Sequence, residues 1–441
     1  MGNIRSSSRP SDYCSFPMKQ LLVVYFLLLP FQWALSPAPG IDLALIRIVT
    51  GGIFLLWLAS GLYQRRLMFT GGLVASALLS LLFLALGSVL WSENEVFTYR
   101  KGAFLLSFLP FFFVLSDAIR THKKLARRLV EALVFGATAM GIIAISIFLA
   151  QFVFGVGQMV SYLLNILPWF LGGAFGEAVI AHSSLLVNIS GVTVLRASGF
   201  LPDPHIFSFF TGMTASLALG LYWSDEKRSP RFLLAFVILL VADLLTFSRG
   251  GYVGLIGGGL WILLLSGHFG FTTKHLKQLL VLLLLVGTLL LSPVGARLLS
   301  SFSESDGSNQ ERIRLWRESA VLIAEKPLLG LGLGNYPLRV KPGAEYREPI
   351  YAHNQYLDMA LELGLIGLEL FLVLLFIPLL RLARMFLTHR DSLALAMSTS
   401  LVVFLVHALF ESPLFSVHIL PLLLFLIALG VSYRYDDTSN E

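Results

Sequence analysis

The sequence predicts an all-α fold: a polytopic membrane helix bundle of about twelve transmembrane helices with a long helical external loop. Apolar residues make up 56% of the 441 residues and charged residues only 13%, which excludes an ordinary soluble domain. Apolar stretches of about 20 residues, long enough to cross a hydrocarbon core of about 30 Å, recur along the chain. A transmembrane barrel would instead need alternating strands of about ten residues.

The two ends of the chain are predicted to be cytoplasmic tails. Residues 1–18 are polar and serine-rich, as is typical of a disordered tail, and residues 434–441 form a second tail. Lys19 and the apolar run after it imitate a signal peptide, but another apolar span follows at once, so we expect a retained signal anchor. Residues 19–433 are predicted to form a single transmembrane domain. The one cysteine, Cys14, excludes an intrachain disulfide.

Apolar stretches follow one another along this domain and are the candidate membrane spans. They are 19–36, 43–62, 70–91, 101–117, 129–154, 205–223, 232–248, 252–266, 278–293, 355–380, 392–410 and 415–433. Basic residues between spans indicate orientation, because Lys and Arg concentrate in cytoplasmic loops. With both termini in the cytoplasm, most of the 32 basic residues lie in inner loops. Two long loops, 155–204 and 294–352, are then external.

The two external loops are predicted to carry the working face, because long structured connections usually have a function. Loop 155–204 is glycine-rich and aromatic, and parts of it are expected to lie flat in the membrane interface. Loop 294–352 is polar, with a predicted helix over 311–325 and a Pro- and Gly-rich segment over 326–336. That segment resembles a phosphate loop only superficially, because it lacks the terminal Gly-Lys-Ser/Thr.

Arg249 occurs in a Ser-Arg-Gly-Gly segment that is predicted to be an external turn, where the positive-inside rule disfavours arginine. One interpretation is a snorkelling side chain that anchors a helix end. The other is a guanidinium at headgroup depth that binds phosphate through two parallel hydrogen bonds. Gly250 and Gly251 would then let a ligand approach the backbone.

Arg196 lies in a turn just before the candidate span 205–223. Asp203 and Pro204, at the end of this turn, are predicted to cap the helix of that span. Two interpretations therefore stand side by side for Arg196. The turn is purely structural, or its arginine completes an anion site.

The predicted helix over 311–325 carries two further arginines, Arg312 and Arg314. Arg312 and Trp316 are four residues apart and therefore share a helical face. A solvated charged face is the usual explanation for such a segment. The alternative is that this face contributes to an anion site.

His353 begins the span 355–380 at the predicted boundary with water and is the strongest candidate for chemistry. It could simply cap the helix or form a hydrogen bond. A neutral histidine there could also take a proton from an attacking hydroxyl. The N-terminus of a helix is expected to keep its imidazole neutral and to favour a nearby phosphate.

A polar stripe follows His353 along the same span, made of Asn354, Asp358 and Glu362 at four-residue spacing. Acids inside a membrane normally face the bundle interior and have a partner. Arginines such as Arg47 or Arg100 are candidate partners, and the sequence does not choose between them. The histidines are scattered and show no metal-ligand spacing, so no metal site is predicted.

These motifs together resemble the bacterial O-antigen ligase and O-antigen polymerase (Wzy-type) superfamily. The specific signal covers about residues 190–370, and His205 departs from it because asparagine is more frequent there, so no role is assigned to His205. The matching motifs are Arg196-x-Ser198-Gly199-x-x-x-Asp203-Pro204, Ser248-Arg249-Gly250, Arg312-x-x-x-Trp316, Lys326-Pro327-Leu328-Leu329-Gly330-Leu331-Gly332 and Ala352-His353-Asn354-x-Tyr356-Leu357-x-x-x-x-Glu362-Leu363-Gly364-Leu365-x-Gly367.

The resemblance implies a multi-pass glycosyltransferase of the bacterial inner (cytoplasmic) membrane, with a fold like that of C-type glycosyltransferases and a periplasmic or extracytoplasmic active face. It implies a glycan donor on undecaprenyl diphosphate and transfer without a metal or cofactor. The implied acceptor is a hydroxyl of lipid A-core sugar, of a growing polysaccharide or of a protein. Membrane lipids are further expected partners, and nucleic acid is not.

The implied roles follow the motifs. Arg249 and Arg312 would bind the donor diphosphate, with Arg196 and Arg314 as further candidates, and His353 would be the general base. The residues expected to support them are Asn354, Asp358, Glu362 and Trp316.

Alternatives stay open at the level of function. One is a Wzy-type polymerase of O-antigen or exopolysaccharide. Another is a lipid or polysaccharide transporter that uses the same arginines for binding without chemistry. A third is a non-catalytic scaffold in an envelope assembly complex.

Overall fold

A computed structural model describes most of the chain as α-helix. The described residues are 16–38, 41–65, 69, 72–122, 124–181, 184–189, 191–268, 307–346, 348 and 350–435. The candidate span 278–293, part of the external loop (294–306) and most of both tails (1–15 and 436–441) lie outside them.

Ten described α-helices precede Arg249 in the chain. They are α1 (Phe16–Leu28), α2 (Leu45–Tyr63), α3 (Leu73–Gly87), α4 (Glu95–Phe108), α5 (Phe111–Thr121), α6 (Leu125–Phe154), α7 (Val156–Leu171), α8 (Gly173–Ala181), α9 (Pro204–Ser224) and α10 (Pro230–Leu244). The remaining described helices are α11 (Arg249–Gly267), α12 (Gly307–Glu325), α13 (Tyr336–Val340), α14 (Gln355–His389), α15 (Ser392–His407) and α16 (Ile419–Ser432). Two antiparallel hairpins join β1 (Ala34–Ala38) to β2 (Ile41–Ala44) and β3 (Leu186–Ile189) to β4 (Val192–Leu195).

Seven helical stretches among the described residues are long and apolar enough to cross a membrane. The first predicted span, 19–36, ends early: helical structure stops at Phe31 and β1 follows, in a segment whose prolines do not continue a helix. The all-α polytopic membrane fold is therefore confirmed. The seven stretches are Leu45–Tyr63, Leu73–Leu90, Glu95–Thr121, Leu125–Phe154, Pro204–Ser224, Arg249–Gly267 and Gln355–His389.

Helix α9 is the most enclosed of the seven membrane-length stretches and packs against α10 and α15. The approach to α15 is close, because a Cβ added at Gly220 would lie 2.1 Å from that of Ala396. Polar side chains in α9 bond within the protein: the Thr211 hydroxyl lies 2.9 Å from a carboxylate oxygen of Asp243. Such pairing is expected where lipid offers no hydrogen-bond partner.

Helix α14 is broken at Gly364, which has φ 69° and ψ −175°. The Gly-rich segment 326–335, called the strap below, docks into the break. Leu331 N–H donates to Leu361 O at 2.8 Å, and Leu365 N–H donates to Pro327 O at 2.8 Å. The strap therefore satisfies backbone groups that the break leaves unpaired.

The strap needs glycine where it meets the break. Gly330 has φ +68°, and a Cβ there would lie 2.6 Å from the backbone nitrogen of Gly364. A Cβ on Gly364 itself would lie 2.0 Å from Leu328 O. The glycines thus allow a close approach of two backbone segments, which gives this motif a structural use unlike that of a phosphate loop.

Candidate functional site

Glu411 stands at the centre of a charged cluster where several helices end. It lies in the loop between α15 and α16, with 11% of its side chain exposed. Nη2 of Arg312 donates to Oε1 of Glu411, and Nδ1 of His353 lies 2.9 Å from Oε2. Nδ1 of His205 is 3.6 Å from Oε1. One carboxylate thus joins α9, α12 and the turn before α14.

The turn that carries His353 is strained. His353 has φ +49°, a left-handed conformation that is uncommon outside glycine. Asn354 is the N-cap of α14, and its side-chain oxygen accepts from Tyr356 N–H at 3.0 Å and Leu357 N–H at 3.1 Å. Strain held in place by the surrounding structure is a feature of functional sites.

The hydrogen bond to Glu411 fixes the proton on His353. An ionised carboxylate only accepts, so Nδ1 carries the proton and Nε2 is the acceptor nitrogen of the neutral ring. Burial lowers the pKa of His353, but the hydrogen bond and charge of Glu411 outweigh it, so the pKa is raised above its ordinary value. The expectation that a helix terminus keeps this imidazole neutral gives way to the stronger effect of the carboxylate.

Burial and the neighbouring basic residues shift the pKa of Glu411 in opposite directions. It raises the pKa of the carboxyl, while His205, His353 and Arg312 lower it and prevail, so the pKa stays well below the usual range. Glu411 is therefore a carboxylate at neutral pH. Its charge is available to stabilise an imidazolium on His353.

Helix α12 carries both residues of the Arg-x-x-x-Trp motif to this cluster. Arg312 reaches Glu411, and Trp316 Nε1 donates to Ala352 O at 2.9 Å, beside His353. This is the shared face expected from their spacing. Arg314 lies outside the cluster: it is 53% exposed and is bound by two acids of its own helix, Glu311 at 2.5 Å and Glu318 at 2.7 Å.

Arg196 is buried and holds two loops together. Its Nε donates to Thr246 O at 2.6 Å and its Nη1 to Ser184 O at 2.9 Å. Both terminal nitrogens lie 3.4 Å from Nε2 of His205. These contacts favour the structural interpretation of this turn. The Arg196 guanidinium reaches the charged cluster only indirectly, because His205 lies between it and Glu411.

Ser248 is the N-cap of α11 and connects two histidines. Its Oγ lies 3.1 Å from Nδ1 of His205 and 3.3 Å from Nε2 of His407. The His407 ring is stacked on Phe209 with 3.6 Å between centroids and 5° between planes. Arg249, the residue after Ser248, is half-buried at the start of α11. The contacts of Ser248 with the two histidines therefore fix the backbone from which the Arg249 side chain projects.

Gly250 and Gly251 are packing positions. A Cβ at Gly250 would lie 2.7 Å from Cδ2 of His407, and one at Gly251 would lie 1.9 Å from Oγ of Ser208. The expectation that these glycines let a ligand approach the backbone is wrong on the side where a Cβ would project, because side chains of α9 and α15 already occupy that space.

Of the polar stripe on α14, Asp358 supports the His353 turn. Its carboxylate accepts from Ala352 N–H at 2.9 Å and from the Ser412 hydroxyl, one residue after Glu411. Asp358 thus ties the loop before α14 to the loop after α15. The functional role expected for this acid stays a prediction.

Glu362 pairs with Lys101, at 2.6 Å, instead of either expected arginine. Lys101 Nζ also lies over the ring of Phe415, 4.5 Å from its centroid. Arg47 is on α2, which packs on α4 and α5, and it donates to the Ser107 hydroxyl at 3.1 Å. Arg100 lies over the Tyr346 ring, because adjacent residues of α4 point about 100° apart.

Sequence reasoning missed Glu411 and the pair formed by Ser248 and His407. A signal for Glu411 was present, since it is an acid followed by serine and proline between two apolar spans. Ser248 preceding the span of Arg249 was a candidate N-cap by residue type. Among the described residues no three His, Cys, Asp or Glu side chains are grouped so as to hold a metal ion.

Comparison with known proteins gives a match to the part of the chain that holds most of the site. Residues 234–372 match the family model described as O-antigen ligase. A candidate polysaccharide ligase of Rickettsia conorii is 28% identical over 183 residues, which cover 37% of this chain and 42% of the relative. One from Rickettsia bellii is 26% identical over 178 residues, with the same coverage.

A third relative, from Rickettsia felis, is 26% identical over 234 residues, or 46% of this chain and 56% of that protein. The chain thus covers less than half of the length of the first two relatives and just over half of the third. The matched region contains Arg249, Arg312 and His353, the residues singled out by the sequence motifs. Residues 234–372 are thus similar to the O-antigen ligase family, in agreement with the resemblance that the motifs carry.

Proposed function

We propose that this protein is a membrane glycosyltransferase that moves a glycan from undecaprenyl diphosphate to an acceptor hydroxyl, without a metal ion. The acceptor is a lipid A-core sugar or a growing polysaccharide, and the site faces the periplasm. The observation that carries the proposal is the hydrogen bond between His353 and Glu411, with Arg312 on the same carboxylate. His353 lies just before the membrane-length helix α14, and Glu411 follows the shorter apolar helix α15. The ends of apolar helices are where we expect a lipid-linked diphosphate to reside.

His353 is the general base in this proposal. The acceptor oxygen attacks the anomeric carbon, the bond from that carbon to the diphosphate oxygen breaks with its electron pair on the diphosphate, and the acceptor proton passes to Nε2 of His353. Glu411 stabilises the imidazolium and holds the ring in the required tautomer. Such a base contributes about 10²–10⁴-fold in rate.

Arg249 and Arg312 bind the diphosphate. Arg249 begins α11, and the N-terminus of a helix favours an anion. Arg312 uses Nη2 for Glu411, and a guanidinium has five N–H donors, so further donors serve phosphate oxygens. Two guanidinium groups offset the charge that grows on the leaving diphosphate.

The experiment that tests this function uses purified protein in vesicles with a labelled undecaprenyl-diphosphate glycan. With acceptor present, the wild type should release undecaprenyl diphosphate and label the acceptor, and His353→Ala should do so far more slowly. Transport of the glycan lipid with its diphosphate linkage intact would refute the proposal. Lipid A-core and a second lipid-linked glycan, supplied separately, distinguish a ligase from a polymerase.

A further inference from the structure

Helix α7 follows α6 directly and carries no charged residue over its whole length. One side of it is packed: Leu163, Leu167 and Leu171 are buried in a small core with Leu185 and Leu195. This core is distinct from the main core of the bundle. Helix α7 is therefore a surface element at the end of α6, attached through a single apolar side.

The remaining surface of α7 has two different flanks. Tyr162 and Trp169, seven residues apart, are 63% and 76% exposed and lie on one side of the helix. Ser161 and Asn165 are also exposed, and at about 100° per residue their mean direction is about 70° away from that of the two aromatic residues. The helix thus presents an aromatic flank, a polar flank and a packed flank.

Exposed apolar side chains also occupy the end of α6, just before α7. Phe152, Val153 and Phe154, at the end of that membrane-length helix, are 67%, 78% and 60% exposed. Only Gly155, with φ +87°, separates them from α7. Trp33, 60% exposed, lies edge-on to Phe170 of α7 with 6.4 Å between centroids, and so places another exposed aromatic side chain against α7.

We propose that α7 lies in the headgroup region of the bilayer, with Tyr162 and Trp169 in contact with lipid and Ser161 facing water. Exposed tryptophan and tyrosine are enriched at this depth of a membrane, where an apolar ring and a polar atom are both satisfied. An amphipathic helix without charges binds there through apolar contact alone. The partner is therefore a lipid surface, whatever its headgroup charge.

The placement of α7 bears on the candidate site through covalent and hydrogen-bonded links. Asp42 of β2 accepts from Phe175 N–H at 2.7 Å and so fixes the start of α8, which follows α7. On the other side, the Gln151 side chain of α6 accepts from Leu195 N–H at 2.8 Å. Arg196 comes next in the chain. A lipid contact on α7 would thus hold the loop of Arg196 at headgroup depth.

Spin labels test the proposal directly. Single cysteines are introduced as Ser161→Cys, Tyr162→Cys and Trp169→Cys in a Cys14→Ser background, and the labelled proteins are reconstituted in phosphatidylethanolamine–phosphatidylglycerol vesicles. Oxygen, which partitions into lipid, should relax the labels at 162 and 169 more than a water-soluble nickel chelate does. The label at 161, on the adjacent residue, should show the reverse preference.

Equal access of nickel chelate to all three labels would overturn the proposal, as would a label at 161 that is more lipid-accessible than that at 162. The conservative Trp169→Phe variant gives a second measurement that does not depend on labelling. Brominated lipids should quench the wild-type tryptophan fluorescence more than that of Trp169→Phe. Equal fractional quenching of the two proteins would contradict a lipid contact at Trp169.

Discussion

Nδ1 of His353 lies 2.9 Å from Oε2 of Glu411, although the two residues are 58 positions apart in the chain. The bond joins the turn before α14 to the loop after α15. It selects the tautomer of the imidazole and raises its pKa. The proposed base and the carboxylate that orients it are therefore one unit.

Glu411→Gln should move the pH dependence of transfer. In the wild type the neutral form of His353, which the proposed mechanism requires, is lost as pH falls through its raised pKa. Without the negative charge that pKa falls, so the acid limb of the single-turnover rate should shift to lower pH. The rate on the plateau should also drop, because the imidazolium loses its partner. An unshifted acid limb would show that another group controls it.

Arg249→Ala should reduce transfer by about 10²-fold or more, the usual cost of losing one donor to a developing charge. Arg249→Lys should recover little, because an ammonium cannot form the bidentate fork. Arg314→Ala is the matched control, since Arg314 is exposed and bound by acids of its own helix. Initial rates at equal protein level in vesicles measure the difference. Near-normal transfer by Arg249→Ala would remove it from the site.

The pair formed by Lys101 and Glu362 should matter for stability. Both side chains are largely buried, with 14% and 6% exposed. Glu362→Ala leaves Lys101 without its carboxylate, at a cost of about 3–5 kcal/mol. Thermal unfolding in detergent should therefore show a lower midpoint for Glu362→Ala than for the double variant Lys101→Met, Glu362→Leu. Equal midpoints for wild type and Glu362→Ala would contradict a stabilising pair.

The predicted orientation places both termini in the cytoplasm and loop 294–352 outside, because that arrangement puts most of the basic residues inside. A cysteine introduced as Ser308→Cys in the Cys14→Ser background should react with an impermeant maleimide in intact cells. Labelling of this cysteine only after lysis would contradict the predicted external position of loop 294–352. A cysteine at Ser229, between α9 and α10, is the control and should react only after lysis.

The sequence was sufficient for features that are local or periodic. Long apolar stretches predicted the membrane helices, and the spacing of Arg312 and Trp316 predicted their shared face. Contacts between distant segments could not be read this way. Glu411 has His353 and Arg312 as partners only because the loops at the ends of α14 and α15 meet.

The polar stripe on α14 shows the same limit. Its spacing placed Asp358 and Glu362 on one face, but the choice of Lys101 over Arg100 depends on the rotation of α4 against α14. The use of glycine in the strap depends likewise on the break at Gly364. In each case packing of one helix on another decides between residues of similar chemistry.

The central claim, that His353 handles the acceptor proton, is tested most directly by measuring donor binding and single-turnover transfer separately for His353→Ala. The expected donor affinity is close to that of the wild type, since the proposed diphosphate contacts belong to Arg249 and Arg312. The expected rate at saturating donor is lower by about 10²–10⁴-fold. A variant that binds donor weakly but transfers at the wild-type rate once saturated would contradict it.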